Sequence, residues 1–282
     1  MTRWPVTRWI FASDLQLENP DPHEERKRRL IERVAEEKPQ FVINGGDHIN
    51  GVVNDDHEEF RNARQMWKTY HRVMSPLKEL CPVISTVGNH DQTGSDPSSE
   101  EYLRQVGRHG RATYCARTIA GVHIANMDVV AGRHCGELMD RTQARWLRRD
   151  LRARRRARCT VVVGHYPIFT APVLQQHSLL RDEQTSENGF LLPLLCDAGV
   201  DLYLCGHLHT YERCRYKRMT QLMTSASAPV LSEMRENPGE YREAFGEWQT
   251  YVRFTLEDST IRGEAVSAEG DVVDQWTQKL NR

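Results

Sequence analysis

The stretch "CGHLHTYER", residues 205–213, follows an apolar run and places two histidines close behind a glycine. The run "VDLYLCG" (200–206) predicts a strand, and Gly206 permits a tight turn where that strand ends. In such a turn, His207 and His209 can both face one point. The stretch therefore predicts a polar site at the C-terminal end of a strand, and the other members of the site must come from distant parts of the chain.

Four further predicted strands also end in carboxylate, amide or imidazole side chains. "RWIFAS" (8–13) leads into Asp14-Leu15-Gln16, "FVING" (41–45) into Gly46-Asp47, "PVISTV" (82–87) into Gly88-Asn89-His90-Asp91, and "CTVVV" (159–163) into Gly164-His165. Ligand sites in α/β sheets lie at the carboxyl ends of strands. Five such ends on neighbouring strands predict one rim that gathers all of these groups.

Helical stretches alternate with these strands. Segments 23–38, 55–80, 191–198 and a segment from about 142 read as helices, and 112–128 reads as a hairpin that turns at Ala120-Gly121. The last forty residues predict an antiparallel tail, about 248–280, with turns at Asp258 and Gly270. The alternation predicts an α/β fold with helices on its outer faces. No linker or repeat interrupts the chain, so we expect a single domain over residues 1–282.

Composition narrows the function classes. The net charge of −1 gives no global attraction to nucleic acid or anionic membranes. The N-terminal stretch holds no apolar run long enough for a signal peptide or a membrane helix, so we expect no membrane partner. Seven scattered cysteines without paired spacing indicate reduced thiols. We therefore expect a cytoplasmic protein, and the oligomeric state stays open.

The ordered set D-x-Q, G-D, G-N-H-D, G-H and G-H-x-H resembles the calcineurin-like metallophosphoesterase superfamily over about residues 8–230. "GHYPIF" (164–169), "GHLHTYER" (206–213) and the segment 143–167 are most similar to the purple acid phosphatase branch. The resemblance implies an α/β fold of the metallophosphoesterase type, a four-layer αββα sandwich. It also implies a dinuclear metal centre at one edge, and the motif core of about 8–230 then precedes the antiparallel tail.

Hard oxygens and imidazoles suit two metal ions that share one bridging carboxylate. We assign Asp14, Gln16, Asp47 and His209 to the first ion, and Asp47, Asn89, His165 and His207 to the second. Two ions about 3.5–4 Å apart clamp the attacking and leaving oxygens of an in-line displacement, and they acidify a bridging hydroxide.

The catalytic predictions centre on the histidine of the G-N-H-D motif. His90, beside the ligand Asn89, is expected to contact the phosphoryl group or to protonate the leaving oxygen. Asp91 is expected to orient the His90 ring. With Asn89 and His90, His177 is predicted as a substrate contact; the alternative for His177 is a solvated loop histidine.

Two positions depart from the family pattern. Gln16 stands where most relatives carry histidine, and a neutral amide oxygen favours Mn²⁺ or iron over zinc at the first site. Asn50 stands where purple acid phosphatases carry a tyrosine, so no iron–tyrosinate is expected. We expect two metal ions, Mn²⁺ and/or iron, with Zn²⁺ as the alternative.

These features predict a dinuclear-metal phosphohydrolase that acts on phosphomonoesters, with a small phosphorylated molecule as the favoured substrate. The alternative is a phosphodiesterase that acts on cyclic nucleotides or other diesters.

The run "RRDLRARRRAR" (148–158) suggests nucleic-acid binding as another function. However, Leu147 and Leu151 share one helix face and leave the arginines on the solvated face. A catalytically inactive interaction domain that binds no metal is another alternative. It would require the loss of a metal ligand, and every predicted ligand position in this sequence holds a usable donor. Arg213 has two open readings, a phosphate contact or a structural ion pair.

Overall fold

The computed structural model of the chain describes residues 4–51, 57–91, 99–110, 112–130, 139–154, 157–170, 190–227 and 239–280. In chain order the strands are β1 Thr7–Ala12, β2 Phe41–Asn44, β3 Val83–Ser85, β4 Cys115–Ile119, β5 Val122–Asn126, β6 Cys159–Val163, β7 Leu202–Cys205, β8 Tyr211–Tyr216, β9 Met219–Met223, β10 Arg242–Gly246, β11 Thr250–Glu257, β12 Thr260–Ser267 and β13 Val272–Lys279. The helices are α1 Glu24–Glu36, α2 His57–Leu80, α3 Glu100–Gln105, α4 Arg141–Ala153 and α5 Leu191–Asp197, and a 3-10 turn covers Asn89–Asp91.

The strands form two sheets. The first has the order β13-β12-β11-β1-β2-β3, and the second has the order β10-β8-β9-β7-β6-β5-β4. β1, β2 and β3 are parallel to one another, and so are β5, β6, β7 and β9. Parallel neighbours end at the same edge, so this topology gathers the loops that follow β1, β2 and β3 at one edge of the first sheet. The loops that follow β6 and β7 gather in the same way at one edge of the second.

Alternation along β1 shows how the layers stack. Trp9 and Phe11 are fully buried in the core between the two sheets, where they meet side chains of β6 and β7. Ile10 and Ala12 point the other way and join the core beneath the helices. Successive side chains of a strand face opposite sides, so a strand that is apolar at every position must be covered on both faces.

Helices cover the outer face of each sheet. Buried residues of α1 and α2 pack against the first sheet, among them Leu30, Ile31, Trp67 and Tyr70. Buried residues of α4 and α5 pack against the second sheet, among them Leu147, Leu151 and Leu195. The predicted four-layer αββα sandwich is thereby confirmed. The hairpin at Ala120-Gly121 is also present, with β4 and β5 antiparallel.

The C-terminal part of the chain differs from the sequence reading in its connections. The tail is antiparallel and turns at Asp258 and Gly270, both with positive φ. Its strand β11 pairs with β1 and so completes the first sheet. The predicted strands do not include β8, β9 and β10. In β8 the charged residues of "TYERCRY" (210–216) mask the strand pattern. The stretch 205–213 therefore holds a metal-site loop and a buried strand.

The arginine-rich segment after Leu147 is more deeply engaged than predicted. Leu147 and Leu151 are buried as expected. Arg158, however, is only 3% exposed and donates hydrogen bonds to the backbone oxygens of Pro5 and Asp258. Arg148 stacks its guanidinium over the Phe190 ring at 4.8 Å. Part of the positive charge in 148–158 is thus used within the fold.

Two global predictions concern the surroundings of the protein. Within the described ranges, no helix combines the length and apolarity needed to cross a bilayer. Among the six described cysteines, no two are joined in a disulfide. The cytoplasmic location stays a prediction.

Candidate metal centre

The five polar strand ends meet at one edge of the sandwich, but they come from two sheets rather than from one. β1, β2 and β3 supply three loops and β6 and β7 supply two. Backbone hydrogen bonds join these loops: Asp14 N donates to Gly46 O at 3.0 Å, and Gly206 N donates to His165 O at 2.9 Å. Across the two sheets, His207 N donates to Asp14 Oδ1 at 2.9 Å.

The ligands predicted for the second ion converge. Asn89 Oδ1 lies 3.0 Å from His165 Nε2 and 3.0 Å from His207 Nδ1. Asp47 Oδ2 lies 3.2 Å from the same His165 nitrogen. His165 is fixed from behind, because its Nδ1 lies 3.0 Å from Gly45 O. A backbone carbonyl at Nδ1 leaves Nε2 as the ligating nitrogen, which is the usual support of a metal-binding histidine.

The ligands predicted for the first ion form the neighbouring group. Ligand atoms of Asp14, Asp47 and His209 all lie within 4.8 Å of one another. Gln16 also reaches this point, with Nε2 3.3 Å from Asp47 Oδ2 and Oε1 3.5 Å from Ser227 Oγ. A half-turn of the Gln16 amide brings its oxygen to the ligand position, and the two orientations differ only in which terminal atom is called oxygen. Asp47 belongs to both groups, as the bridging role requires.

Unusual backbone conformations concentrate at this edge. Positive φ angles occur at Asp14 (54°), Gln16 (41°), Asp47 (52°), His207 (77°) and His209 (49°). Non-glycine residues adopt this region rarely, at a cost of about 1–3 kcal/mol each, and they persist only where the surroundings enforce it. Five of the seven predicted ligands therefore carry a conformation that favours a converging site over local stability.

Burial and charge shift the titration of the ligands. Burial, with the nearby charge of Asp47, raises the pKa of Asp14 to about 7. Burial also acts to raise the pKa of Asp47, but the charge of His165 outweighs it and holds that pKa below its ordinary value. Conversely, burial opposes charge on His165, yet Asp47 raises its pKa to about 9. Burial lowers the pKa of His209 to about 4.

This donor set fits a pair of divalent metal ions. Two buried carboxylates face each other with imidazoles and amides as their neighbours, and protein charge alone leaves Asp14 partly protonated near neutral pH. Carboxylate and amide oxygens with imidazole nitrogens are the ligands that Mn²⁺, iron and Zn²⁺ accept. Asp14, Gln16, Asp47 and His209 would hold one ion, and Asp47, Asn89, His165 and His207 would hold the other.

His90 lies at the rim of this group with its ring anchored on one side. Its backbone N donates to Asp47 Oδ1 at 2.8 Å, and its Nδ1 lies 2.8 Å from Gly51 O. The hydrogen bond at Nδ1 leaves Nε2 as the nitrogen that can contact a substrate. The ring is partly exposed, in keeping with that role.

Asp91 does not orient the His90 ring, which corrects the predicted role. Its carboxylate is 1% exposed and accepts hydrogen bonds from the backbone N of Asp47, His48 and Gly88 at 2.8–3.0 Å. It also lies 2.9 Å from His48 Nδ1. The anchor of His90 is the carbonyl of Gly51 instead, because Asp91 turns inward at the 3-10 turn.

Other positions have definite places. Asn50 Nδ2 donates to Glu18 Oε1 at 2.7 Å, so the residue in the tyrosine position is tied to a neighbouring loop. Sequence reasoning missed His48 and Ser227, whose Oγ donates to Asp14 O at 2.7 Å. The position of His48 directly after Asp47 was the available signal; Ser227 gave none. His177 lies outside the described residues, as do most of the loops around it.

Of the two alternatives for Arg213, the structure shows the structural ion pair. Its Nε donates to Asp274 Oδ2 at 2.7 Å, and it also pairs with Glu243. The guanidinium lies 5.1 Å from the centre of the Trp276 ring. Arg213 therefore joins β8 of the second sheet to β13 of the first.

The fold is an αββα sandwich, and one of its edges gathers a donor set that fits two metal ions. The family model of the calcineurin-like phosphoesterases matches residues 7–211. The chain belongs to this family.

Relatives and solved structures agree with this placement. Purple acid phosphatase 18 of Arabidopsis thaliana is 27% identical over 175 residues, covering 58% of this chain and 38% of the relative. Human tartrate-resistant acid phosphatase type 5 is 38% identical over 199 residues, covering 61% and 56%. The chain thus spans less than two thirds of the length of these relatives.

Two solved structures show the same fold at low identity. A purple acid phosphatase from yellow lupin seeds matches with a TM-score of 0.75 at 15% identity, over 98% of this chain and 54% of that one. A dimetal phosphatase from Danio rerio matches with a TM-score of 0.66 at 14% identity, over 98% of this chain and 99% of that one.

Proposed function

We propose that this protein is a metal-dependent phosphohydrolase that acts on phosphomonoesters. The observation that carries the proposal is the position of Asp47, which lies within ligand distance of both ligand groups while its Oδ1 holds the backbone of His90. One bridging carboxylate thereby ties the two ion positions to the imidazole that faces the substrate. Membership of the calcineurin-like phosphoesterase family supports this reading.

The chain's own residues would share the work of the reaction. Asn89 and His90 lie together on the 3-10 turn and would bind the phosphoryl group, with His90 Nε2 donating a proton to the leaving oxygen. When bound, two metal ions supply charge neutralisation and lower the pKa of a coordinated water. Tyr166 covers the back of the site, since its ring lies 4.3 Å from that of His207 and is 5% exposed. This cover excludes bulk water on that side.

Mn²⁺ and iron are the ions we propose, with Zn²⁺ as the alternative. Gln16 offers an amide oxygen where an imidazole would favour zinc. Asn50 is tied to Glu18 and supplies no phenolate, so we propose that the iron-loaded protein lacks an intense tyrosinate absorption.

The preference for monoesters rests on charge. A monoester dianion carries more negative charge than a diester, so two metal ions and His90 stabilise it more strongly as charge develops on the leaving oxygen. A small phosphorylated molecule is the substrate class we propose. The diesterase reading, including cyclic nucleotides, remains the alternative because the same metal edge serves both.

The test compares p-nitrophenyl phosphate with bis-p-nitrophenyl phosphate on Mn²⁺-loaded protein. We expect kcat/KM to favour the monoester, because this ratio reports differential stabilisation of the transition states. A diester preference of tenfold, about 1.4 kcal/mol on the barrier, would reject the monoesterase and promote the diesterase. The variant His90→Ala should lose most activity with poor leaving groups and least with p-nitrophenolate.

Nucleic-acid binding by 148–158 is the less favoured function. Arg148 and Arg158 are engaged with Phe190 and with backbone carbonyls. Filter binding to DNA and RNA across salt concentrations tests it, because phosphate contacts give a steep salt dependence. We expect no such dependence.

A further inference from the structure

A buried carboxylate that is not itself one of the predicted metal ligands joins the loops that carry Asp47 and Asn89. This carboxylate belongs to Asp91. Asp91 Oδ2 accepts hydrogen bonds from Asp47 N at 3.0 Å and Gly88 N at 2.8 Å, and lies 2.9 Å from His48 Nδ1. Asp91 Oδ1 accepts from His48 N at 2.8 Å. One side chain thus holds the loop after β2 and the loop after β3 at the same time.

The two loops approach so closely that their geometry depends on this contact. A Cβ at Gly88 would overlap the carboxylate oxygen and the backbone N of Asp47. Asp47 itself has φ of 52°, a conformation that needs enforcement from its surroundings. The hydrogen bonds to Asp47 N and His48 N supply that enforcement from both sides of the strained residue.

His48 closes the arrangement from behind. Its ring is fully buried and lies 5.0 Å from the ring of Tyr70, 5.6 Å from Tyr102 and 5.7 Å from Trp67, measured between centres. These aromatic rings come from α2 and α3. A charge-assisted hydrogen bond in such an apolar setting is strong and well directed. The helix layer therefore fixes His48, His48 fixes Asp91, and Asp91 fixes the ligand loops.

We propose that Asp91, with His48 behind it, is a positioning residue of the metal centre. It sets the backbone of the bridging ligand Asp47 and of Gly88, next to Asn89, so that both ligands meet at one point. The inference rests on the metal centre of the proposed function, and its effect on metal affinity is measured without any substrate.

The variant Asp91→Asn tests the proposal at nearly constant shape. An amide offers one oxygen and one NH₂ group, whereas all four neighbours of the carboxylate are donors. At least one donor must therefore face the NH₂ group, whichever way the amide turns. We expect the dissociation constant for Mn²⁺ to rise about 10- to 100-fold, the range seen when supporting contacts of metal ligands are lost.

A second histidine–aspartate pair, which is partly buried, provides the control. His123 Nε2 lies 2.7 Å from Asp150 Oδ2, and the two side chains are 8% and 17% exposed. This pair joins β5 to α4 on the outer face of the second sheet. Titration of chelated protein with Mn²⁺ alone, followed calorimetrically, should show Asp150→Asn within threefold of the unmodified chain. A Mn²⁺ dissociation constant of Asp91→Asn within threefold of that of the unmodified chain would overturn the proposal. An equal loss of Mn²⁺ affinity in Asp150→Asn would overturn it too.

His48 keeps the proposal testable if Asp91→Asn does not fold. An asparagine at position 48 places an amide N–H near the place of Nδ1, whereas alanine leaves none. We expect His48→Ala to weaken Mn²⁺ binding about tenfold and His48→Asn to stay within threefold of the unmodified chain. No loss in His48→Ala, or equal loss in both variants, would overturn the role of the pair. If the unmodified chain binds two Mn²⁺ ions but hydrolyses no phosphate ester, the proposed function fails while this inference stands.

Discussion

The two halves of the stretch 207–213 bury charge in opposite ways. His207 and His209 face Asp14, Asn89 and Asp47, where two carboxylates lie among imidazoles and amides. In the second half, each charged side chain has a partner of opposite sign. Glu212 Oε1 accepts from Arg242 Nε at 2.6 Å, and Asp274 accepts from Arg213 and from the Tyr211 hydroxyl.

The pKa shifts follow this difference only in part, because burial outweighs Arg242 and keeps the pKa of Glu212 above its ordinary value. Burial acts to raise the pKa of Asp274, but hydrogen bonds from Arg213 and Tyr211 hold it below its ordinary value. Burial raises the pKa of Asp14 to about 7, and the charge of His165 opposes this shift without offsetting it. A buried carboxylate that has its own guanidinium is neutralised within the fold, whereas two carboxylates that share the charge of His165 leave negative charge for a cation from solution. Within the stretch 207–213, residues of the candidate metal centre are thus followed closely by residues of a structural strand.

Asp47→Ala should produce the largest effect in the comparison. The change removes the carboxylate shared by both ligand groups, so we expect both ions to be lost and activity to fall at least about 1000-fold, or about 4 kcal/mol on the barrier. Stability of the metal-free chain should fall as well, since the buried His165 ring and the backbone N of His90 both lose the carboxylate they contact. Elemental analysis, with kcat for p-nitrophenyl phosphate, measures both. Two ions retained in the variant would contradict the bridging role.

Glu212→Ala should show the opposite behaviour. It removes the buried carboxylate that accepts from Arg242 Nε, and we expect about 3–5 kcal/mol lower free energy of unfolding. Metal content and kcat, measured well below the melting temperature, should stay unchanged. Glu243→Ala is the control: its side chain is 42% exposed, and an exposed pair contributes at most about 1 kcal/mol. A kcat loss in Glu212→Ala beyond twofold would place the second half of the stretch in the site.

Chelation should make stability depend on pH above neutrality. The pKa of His165 is about 9, above the ordinary 6.5, so its charge stabilises the fold fully below pH 6.5 and that contribution is lost as pH rises to 9. We expect a loss on the order of 3 kcal/mol over this window. The raised pKa of Asp14 adds to this loss of stability as the pH rises to about 7. The lowered pKa of His209 makes stability increase with pH instead, and this increase is complete near pH 6.5.

The metal-loaded chain should keep its stability across that window, because an ion replaces the proton on His165. Thermal melting of chelated and Mn²⁺-loaded protein between pH 6 and 9 measures the difference. Parallel curves for the two forms would remove His165 from the metal centre.

Gln16→His should give the smallest effect and sharpen the metal preference. An imidazole at this position favours zinc over Mn²⁺ at the first ion. We expect the ratio of Zn²⁺ to Mn²⁺ affinity to rise about tenfold, or about 1.4 kcal/mol. Competition titrations on the variant and the unmodified chain give this ratio. An unchanged ratio would mean that Gln16 lies near the ions without ligating them.

Local patterns in the sequence are enough to identify the strands that end in candidate ligands and the residue types that a metal pair needs. These signals are local: an apolar run, a glycine and a polar side chain at the turn. Asp14, Asp47, Asn89, His165, His207 and His209 could be recognised in this way, and the fold class followed from their order along the alternating strands and helices.

The division of these strand ends between two sheets, and the residues that surround them, depend on long-range packing. Two sheets share the site, β11 pairs with β1, and five ligands adopt positive φ. Asp91 turned out to hold backbone amides, and Arg213 an ion pair with Asp274, although both stand in motifs that suggest chemistry. Their partners lie 44 and 61 residues away in sequence, so no local pattern encodes them. Packing of the layers selects which buried charge meets which donor.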